Sequence, residues 1–299
     1  MKTTRDLVVG IGEALWDMLP EGKKLGGAPA NFAYHVSQFG LSGMVVSAVG
    51  NDQPGREILD TLAAKRLNML IETLDYPTGT VQVEVDDNGI PRYRIKENVA
   101  WDNIPFTDKL KAIAGRTTAV CFGSLAQRSQ VSRETINNFL TLVPNQTGVY
   151  KIFDINLRQE FYTKEIICHS LEQCNILKIN DEELITVSGM FGYPDTMDFQ
   201  ERCRRLLSAY SLEILILTCG VNGSYVFTSG DVSFIETPKV TVVDTVGAGD
   251  SFTASFISAL LMKKTVREAH RLAVDVSAFV CTRNGAMPQF PQELISRIV

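Results

Sequence analysis

No CxxC pair occurs among the six cysteines of this 299-residue sequence, and no apolar run approaches the length that spans a bilayer. The cysteines (Cys121, Cys168, Cys174, Cys203, Cys219 and Cys281) lie mostly in apolar segments, which predicts free thiols in a reducing compartment rather than a disulfide framework. The opening MKTTRDLVVGIGEALWD puts basic residues before an apolar stretch, but Glu13 and Asp17 interrupt it too early for a secretory h-region. Cytoplasm is the expected location. An excess of positive charge is also missing: 29 Lys+Arg against 34 Asp+Glu gives a formal charge of -5, so the molecule as a whole should not attract DNA or an anionic membrane. Any phosphate must be held locally. The three histidines, His35, His169 and His270, fit no metal spacing and read as helix-surface or half-buried residues. Neither a GxxxxGK(S/T) loop nor a GxSxG elbow is present, and Gly10-Ile11-Gly12 has Leu15 where a dinucleotide fingerprint needs its third glycine. Arg202, Arg204 and Arg205 lack the aromatic interleaving of a nucleic-acid binder and read as one solvated helix face.

What is present is the composition of a folded protein, 45% hydrophobic and 21% charged, at a length that buries roughly three quarters of its unfolded surface. Short β-rich runs alternate with helical ones. Leu7 to Ile11, Met44 to Val49, Ala119 to Phe122, Tyr150 to Asp154, Ile176 to Ile179 and Ile214 to Leu217 read as strands. Ala30 to Gln38, Gly55 to Lys65, Arg133 to Leu142, Asp181 to Val187 and Phe199 to Ala209 read as helices between them. This alternation predicts an α/β fold with a mostly parallel central sheet. Thr80 to Asp86 and Arg92 to Lys96 break the rhythm, alternating apolar and polar residues around Asp87-Asn88-Gly89, and read as an antiparallel hairpin. Ala14 to Leu25 offers two more short strands about Pro20-Glu21-Gly22. With no linker, low-complexity tract or repeat, residues 1–299 form one domain, and segments of about 14–26 and 79–104 form a small β lid.

The chemistry concentrates in DTVGAGDSF, Asp244 to Phe252, which follows an expected strand at Val240 to Val243 and opens a helical run. Gly247, Ala248 and Gly249 present almost no side chain, so backbone amides at a helix N-terminus are available to an anion. A carboxylate beside such a cradle repels phosphate unless it has a proton to take, which suits Asp250 to general-base work. The plainer reading is a tight turn followed by a first-turn acid. Gly26-Gly27-Ala28-Pro29-Ala30-Asn31 is a second Gly-rich helix entry, open to a ligand and carrying an Asn that donates and accepts.

Together, GGAPANFA (Gly26 to Ala33), DINLR (Asp154 to Arg158), NDEE (Asn180 to Glu183) and DTVGAGDSF resemble the ribokinase-like (PfkB-type) carbohydrate kinases, over Gly10 to about Pro288. Within that family GEALWDMLP, GGAPANFA, DINLR and AWDNIPF are most similar to bacterial fructokinases. The resemblance implies a ribokinase-like three-layer fold with Asp250 as base and Gly247, Ala248 and Gly249 as the anion hole. It puts Asp17, Gly27 and Asn31 on sugar hydroxyls. Asn180 and Glu183 correspond to an NxxE motif that organises magnesium, largely through water, beside the nucleotide, and Thr218, Gly220 and Gly223 to the nucleotide loop. Carbonyls of Asp244, Val246, Val280, Arg283 and Gly285 correspond to a monovalent-cation site suited to potassium. Asn180 as a helix cap, Glu183 as a solvated first-turn acid, and Arg158 either in the site or paired with Glu160 stay open as readings of the residues.

In the lid, Tyr93 and Trp101 are candidates for an apolar cover over the sugar, and the lid is also a candidate homodimer contact. The expected activity is ATP-dependent phosphorylation of D-fructose. The rival acceptor is a sugar acid such as 2-keto-3-deoxygluconate, for which Arg92 and Arg94 would supply a cation. A catalytically silent sugar- or nucleotide-binding regulator is the non-enzyme reading. Neither nucleic acid nor membrane is an expected partner.

Overall fold

The computed structural model describes residues 6–19, 22–85 and 91–298, with the backbone alone at 83–85 and 91–93. Thirteen strands are described: β1 (Leu7–Ile11), β2 (Leu15–Leu19), β3 (Gly22–Gly26), β4 (Ser42–Gly50), β5 (Asn68–Leu74), β6 (Gly79–Val85), β7 (Pro91–Ile95), β8 (Thr117–Phe122), β9 (Tyr150–Asp154), β10 (Ile176–Asn180), β11 (Ile214–Thr218), β12 (Ser224–Phe227) and β13 (Val232–Ile235). The α-helices among the same residues are α1 (Ala28–Gln38), α2 (Gln53–Ala64), α3 (Asp108–Ala114), α4 (Gln130–Leu142), α5 (Lys164–Gln173), α6 (Asp181–Met190), α7 (Phe199–Ala209), α8 (Ala248–Leu261), α9 (Val266–Cys281) and α10 (Gln292–Ile295).

A nine-stranded sheet runs in the order β13-β12-β11-β10-β9-β8-β1-β4-β5, parallel from β11 to β5 and antiparallel only where β12 and β13 extend it. Its strands are apolar on both faces because both are covered. Leu7, Val9 and Ile11 join one core with Phe153, Leu215 and Leu217, while Val8, Ile152 and Ile216 join a second core with Phe252, Phe256 and Leu272. At about 25 cal/mol per Å² these two cores are the main favourable contribution to folding. Since β1, β4, β8, β9, β10 and β11 point the same way, their carboxyl ends gather Glu13, Asp154, Arg158, Asn180 and Thr218 along one sheet edge, where α/β proteins bind ligands.

A separate four-stranded sheet, β3-β2-β6-β7, stands over that edge. Asp17 and Lys24 face each other in the antiparallel β2–β3 pair, and β2 pairs with β6 in parallel. The turn expected at Asp87-Asn88-Gly89 lies outside the described residues, as does the side chain of Tyr93.

Several expectations are corrected. Val240 to Val243 forms no strand: the chain leaves β13 at the sheet edge and runs along the end of α9, where the Val243 amide donates to the Cys281 carbonyl at 2.8 Å. Trp101 is no cover for a sugar; it is fully buried in the main core, with the Arg128 guanidinium 4.0 Å above its ring. His35 and His270 are fully buried, His35 Nε2 donating to the Ala286 carbonyl at 2.8 Å and His270 lying between the hydroxyls of Ser224 and Ser233. Arg202 is buried too, donating to the carbonyls of Met197, Pro194 and Asp195, so it does not share a solvated face with Arg204 and Arg205. The six cysteines are free thiols, and no described helix is long and apolar enough to cross a membrane.

Candidate active site

The loop before α8 is fixed by its own first residue. Asp244 accepts the Val246 amide at Oδ1 and the Gly285 amide at Oδ2, both at 3.0 Å. This folds the chain back so that Gly247, with φ of 79°, can serve as the N-cap of α8. A Cβ there would lie 2.7 Å from Ala286, so the position requires glycine for both its dihedral and its space. The Ala248 amide donates to the Thr245 carbonyl at 3.2 Å, whereas the amides of Gly247, Gly249 and Asp250 have no protein acceptor among the described residues. Those donors at a helix N-terminus form the cradle, and Ala248 drops out of it.

Asp250 occupies the first turn of α8, half-buried at the cradle's mouth. Its Oδ2 accepts a hydrogen bond from Asn31 Nδ2 at 2.7 Å, and the buried Oδ1 of Asn31 has no partner among the described residues. An orphan acceptor next to an acid, at the start of a helix with no side-chain cap, leaves capacity for a polyhydroxylated ligand. Burial pushes the Asp250 carboxyl up to about 6; the negative charge of Asp154 adds to this, while the Asn31 bond, Lys178 and Arg158 oppose it.

Beneath Asp250 lies a buried ion pair that the sequence reading did not assign. Lys178 Nζ donates to Asp154 Oδ1 at 3.0 Å, and Thr253 Oγ1 donates to Asp154 Oδ2 at 3.1 Å. The same ammonium lies 3.0 Å from where a Cβ on Gly249 would sit, so it is a cation set against the cradle. Burial works against its charge, but Asp154 and then Glu183 hold its pKa above the usual lysine value. A lysine inside the otherwise apolar strand ILKIN was the available signal, since a charge is buried only when it is paired.

Asn180 and Glu183 form a reciprocal capping box at the start of α6: the Glu183 amide donates to Asn180 Oδ1 at 2.8 Å, and Glu183 Oε2 accepts the Asn180 amide at 2.9 Å. Glu183 is no solvated acid. Its Oε1 accepts the Leu157 amide at 2.9 Å, which ties the DINLR segment to α6, and burial raises its pKa. Arg158 donates to the Leu157 carbonyl at 3.0 Å, and its charge is felt by Glu13, Asp17 and Asp250; no pair with Glu160 forms among the described residues. Asp17 on β2 is pushed up to about 6 by burial, against the pull of Arg158 and Lys24.

Thr218 ends β11 in register with Asn180, and Gly220 and Gly223 follow it, so these three flank the same sheet edge. A narrow cavity beside Asp250 is lined by Glu13, Pro29, Cys121, Asp154 and Asn156. Glu13, noted in the sequence only as a break in an apolar run, is 4% exposed and pushed up to about 7 by burial, with the charge of Asp250 adding.

The carbonyls of Asp244, Val246, Arg283 and Gly285 accept no hydrogen bond among the described residues, while that of Val280 accepts the Arg283 amide at 2.9 Å. Four unclaimed carbonyls beside a carboxylate suit a weakly hydrated monovalent cation. Lys24 Nζ also stands 3.5 Å from Asp244 Oδ2.

The description of pfkB family carbohydrate kinases matches residues 21–293. A fructokinase of Klebsiella pneumoniae is 29% identical over 300 residues, covering 94% of this chain and 95% of its own. The fructokinase of Xylella fastidiosa, solved with bound ATP, superposes with a TM-score of 0.83 at 21% identity over 98% of each chain. A double mutant of the Vibrio cholerae O395 fructokinase, solved with fructose, ADP and potassium ion, gives 0.81 at 22% identity over the whole of both chains. The chain therefore belongs to the pfkB family of carbohydrate kinases and is an ATP-dependent sugar kinase.

Proposed function

We propose that the chain transfers the terminal phosphoryl group of ATP to a hydroxyl of a free sugar, with D-fructose the preferred acceptor. The observation that carries this reading is the 2.7 Å Asn31–Asp250 hydrogen bond at the mouth of a cradle whose amides are unclaimed. Asp17, the Gly27 backbone and Asn31 hold the sugar through its hydroxyls. Asp250 accepts the proton of the attacking hydroxyl, and the amides of Gly247, Gly249 and Asp250, with the Lys178 ammonium, meet the charge that develops on the transferred group. Phosphoryl transfer asks for positioning and charge stabilisation more than for covalent chemistry, which these groups supply. Thr218, Gly220 and Gly223 flank the nucleotide.

Magnesium, when bound, neutralises charge between the phosphates. Asn180 and Glu183 are the residues that would organise it, through water, because both Glu183 oxygens already accept an amide. The carbonyls of Asp244, Val246, Val280, Arg283 and Gly285 would hold a potassium ion behind the cradle. The family match and the presence of Asp250 favour this over a silent regulator. One observation favours a second acceptor class: the Arg158 charge acts on both Asp17 and Asp250, which would suit a sugar carboxylate. Arg94 is exposed on β7, and the side chain of Arg92 lies outside the described residues. Initial rates with ATP and magnesium across free sugars and sugar acids test the choice. Fructose should give the highest kcat/KM; a higher value for 2-keto-3-deoxygluconate would overturn it.

A further inference from the structure

We infer that Thr253 is a positioning residue: its hydroxyl holds the Asp154 carboxylate in the orientation that sets the Lys178 ammonium against the cradle. The inference rests on the reading of Lys178 as a cation that meets the transferred phosphoryl group. Strand register brings the ion pair together. Lys178 and Asp154 are direct partners in the parallel β9–β10 pair, two residues on from Ile176 and Ile152, which share a core with Phe252 and Phe256 of α8. A strand repeats its facing every second residue, so both charged side chains point to the α8 side of the sheet, at its carboxyl end.

Helix α8 meets them with a hydroxyl. The carboxylate divides its oxygens: Oδ1 accepts from Lys178 Nζ at 3.0 Å and Oδ2 from Thr253 Oγ1 at 3.1 Å. Bonds on both oxygens fix the plane of the carboxylate, whose last torsion is broad by itself. A lysine ammonium ends a flexible four-carbon stem, so where it stands is decided by what it pairs with. Here it stands 3.0 Å from the position of a Cβ on Gly249. All three side chains are buried, Thr253 completely, so bulk water has no access to replace the hydroxyl.

A plainer role for a hydroxyl within a helix is a bond to the carbonyl one turn back. Among the described residues the buried serines of α8 show that role alone: Ser251 donates to the Ala248 carbonyl at 2.9 Å, and Ser255 and Ser258 to those of Ser251 and Ala254 at 2.7 Å. Thr253 differs. Its oxygen stands 3.1 Å from the Gly249 carbonyl and also 3.1 Å from Asp154 Oδ2, so its proton is shared, and the charged carboxylate is the stronger acceptor. Gly249 is thereby gripped from two sides, its carbonyl by Thr253 and its Cα flanked by Lys178.

The experiment measures kcat/KM for ATP and KM for the sugar in wild type, Thr253→Val, Thr253→Ala, Thr253→Ser, Lys178→Met and the Thr253→Val/Lys178→Met pair, with thermal melts to establish which variants fold. Val keeps the branched shape and the charge balance of the site and removes the hydroxyl; Ala is the second hydroxyl-free variant. Both should lose on the order of tenfold in kcat/KM for ATP, as for one hydrogen bond to a charged group, with the sugar KM held within about twofold. Thr253→Ser should recover most of the loss. Once Lys178 is gone the hydroxyl has nothing to position, so the pair should fall less than about twofold below Lys178→Met alone. Wild-type kcat/KM for ATP in either folded hydroxyl-free variant, a Ser variant no better than Ala, a loss that falls on the sugar KM, or a full further loss in the pair would overturn the inference. Wild-type turnover in Lys178→Met itself would instead remove the reading of that lysine.

Discussion

Replacing Asp250 with Asn should make the protein more stable as it loses activity. Partial burial and the nearby Asp154 carboxylate raise the Asp250 pKa from 3.8 to about 6. A group whose folded pKa is raised stabilises the fold fully below its unfolded pKa, and that contribution disappears as pH climbs through the folded value. At pH 8 the ionised carboxylate is therefore held at a cost. About two units at about 1.4 kcal/mol each give an upper bound near 3 kcal/mol, and because Asp250 keeps part of its surface in the cleft, about 1–3 kcal/mol is expected. Asn keeps an oxygen to accept the Asn31 bond and carries no charge. For a chain of this length about 2 °C accompanies each kcal/mol, so the melting temperature at pH 8 should rise by roughly 2–6 °C. Differential scanning calorimetry from pH 4 to 8 reads this directly. The gap should shrink as pH falls through 6 and be nearly closed at pH 4, where the wild-type acid is protonated. A variant that is no more stable at pH 8, or whose advantage is the same at every pH, would refute the charge argument.

Two further substitutions probe the cradle. Gly247→Ala forces a Cβ to 2.7 Å from Ala286 at φ of 79°, whereas Gly249→Ala meets only the movable end of Lys178 at 3.0 Å. Steady-state kinetics should therefore show the larger loss for Gly247→Ala, and equal losses would contradict the geometry. Lys178→Met should reduce kcat/KM for ATP and move the acid limb of the pH profile upward, because Lys178 lowers the Asp250 pKa. It also leaves Asp154 buried without its partner, a loss of about 3–5 kcal/mol that a second change, Asp154→Asn, should partly restore in thermal unfolding.

Much of this was legible before any coordinates. The strands at Leu7–Ile11 and Tyr150–Asp154 and the helix at Phe199–Ala209 match their expected bounds, because continuous apolar runs and helical spacing are strong local signals. Val240 to Val243 carried the same apolar signal but had no neighbouring strand to pair with, and pairing is decided by the fold rather than by the segment. Trp101 illustrates the converse: a ring next to a hairpin looks like a cover, yet it fills the core beneath Gly79. Motif residues such as Asp250 and Asn31 could be named from their Gly-rich settings. The role of Asp154 could not, since its partners Lys178 and Thr253 stand 24 and 99 residues away in sequence and only the folded sheet edge brings them together.

Turnover by Asp250→Asn, measured with binding of ATP and sugar followed separately by calorimetric titration, bears most directly on the site. Binding should remain close to wild type while kcat drops by on the order of a hundredfold or more. A variant that binds both ligands and still turns over at the wild-type rate would contradict the assignment of the base, and with it the mechanism.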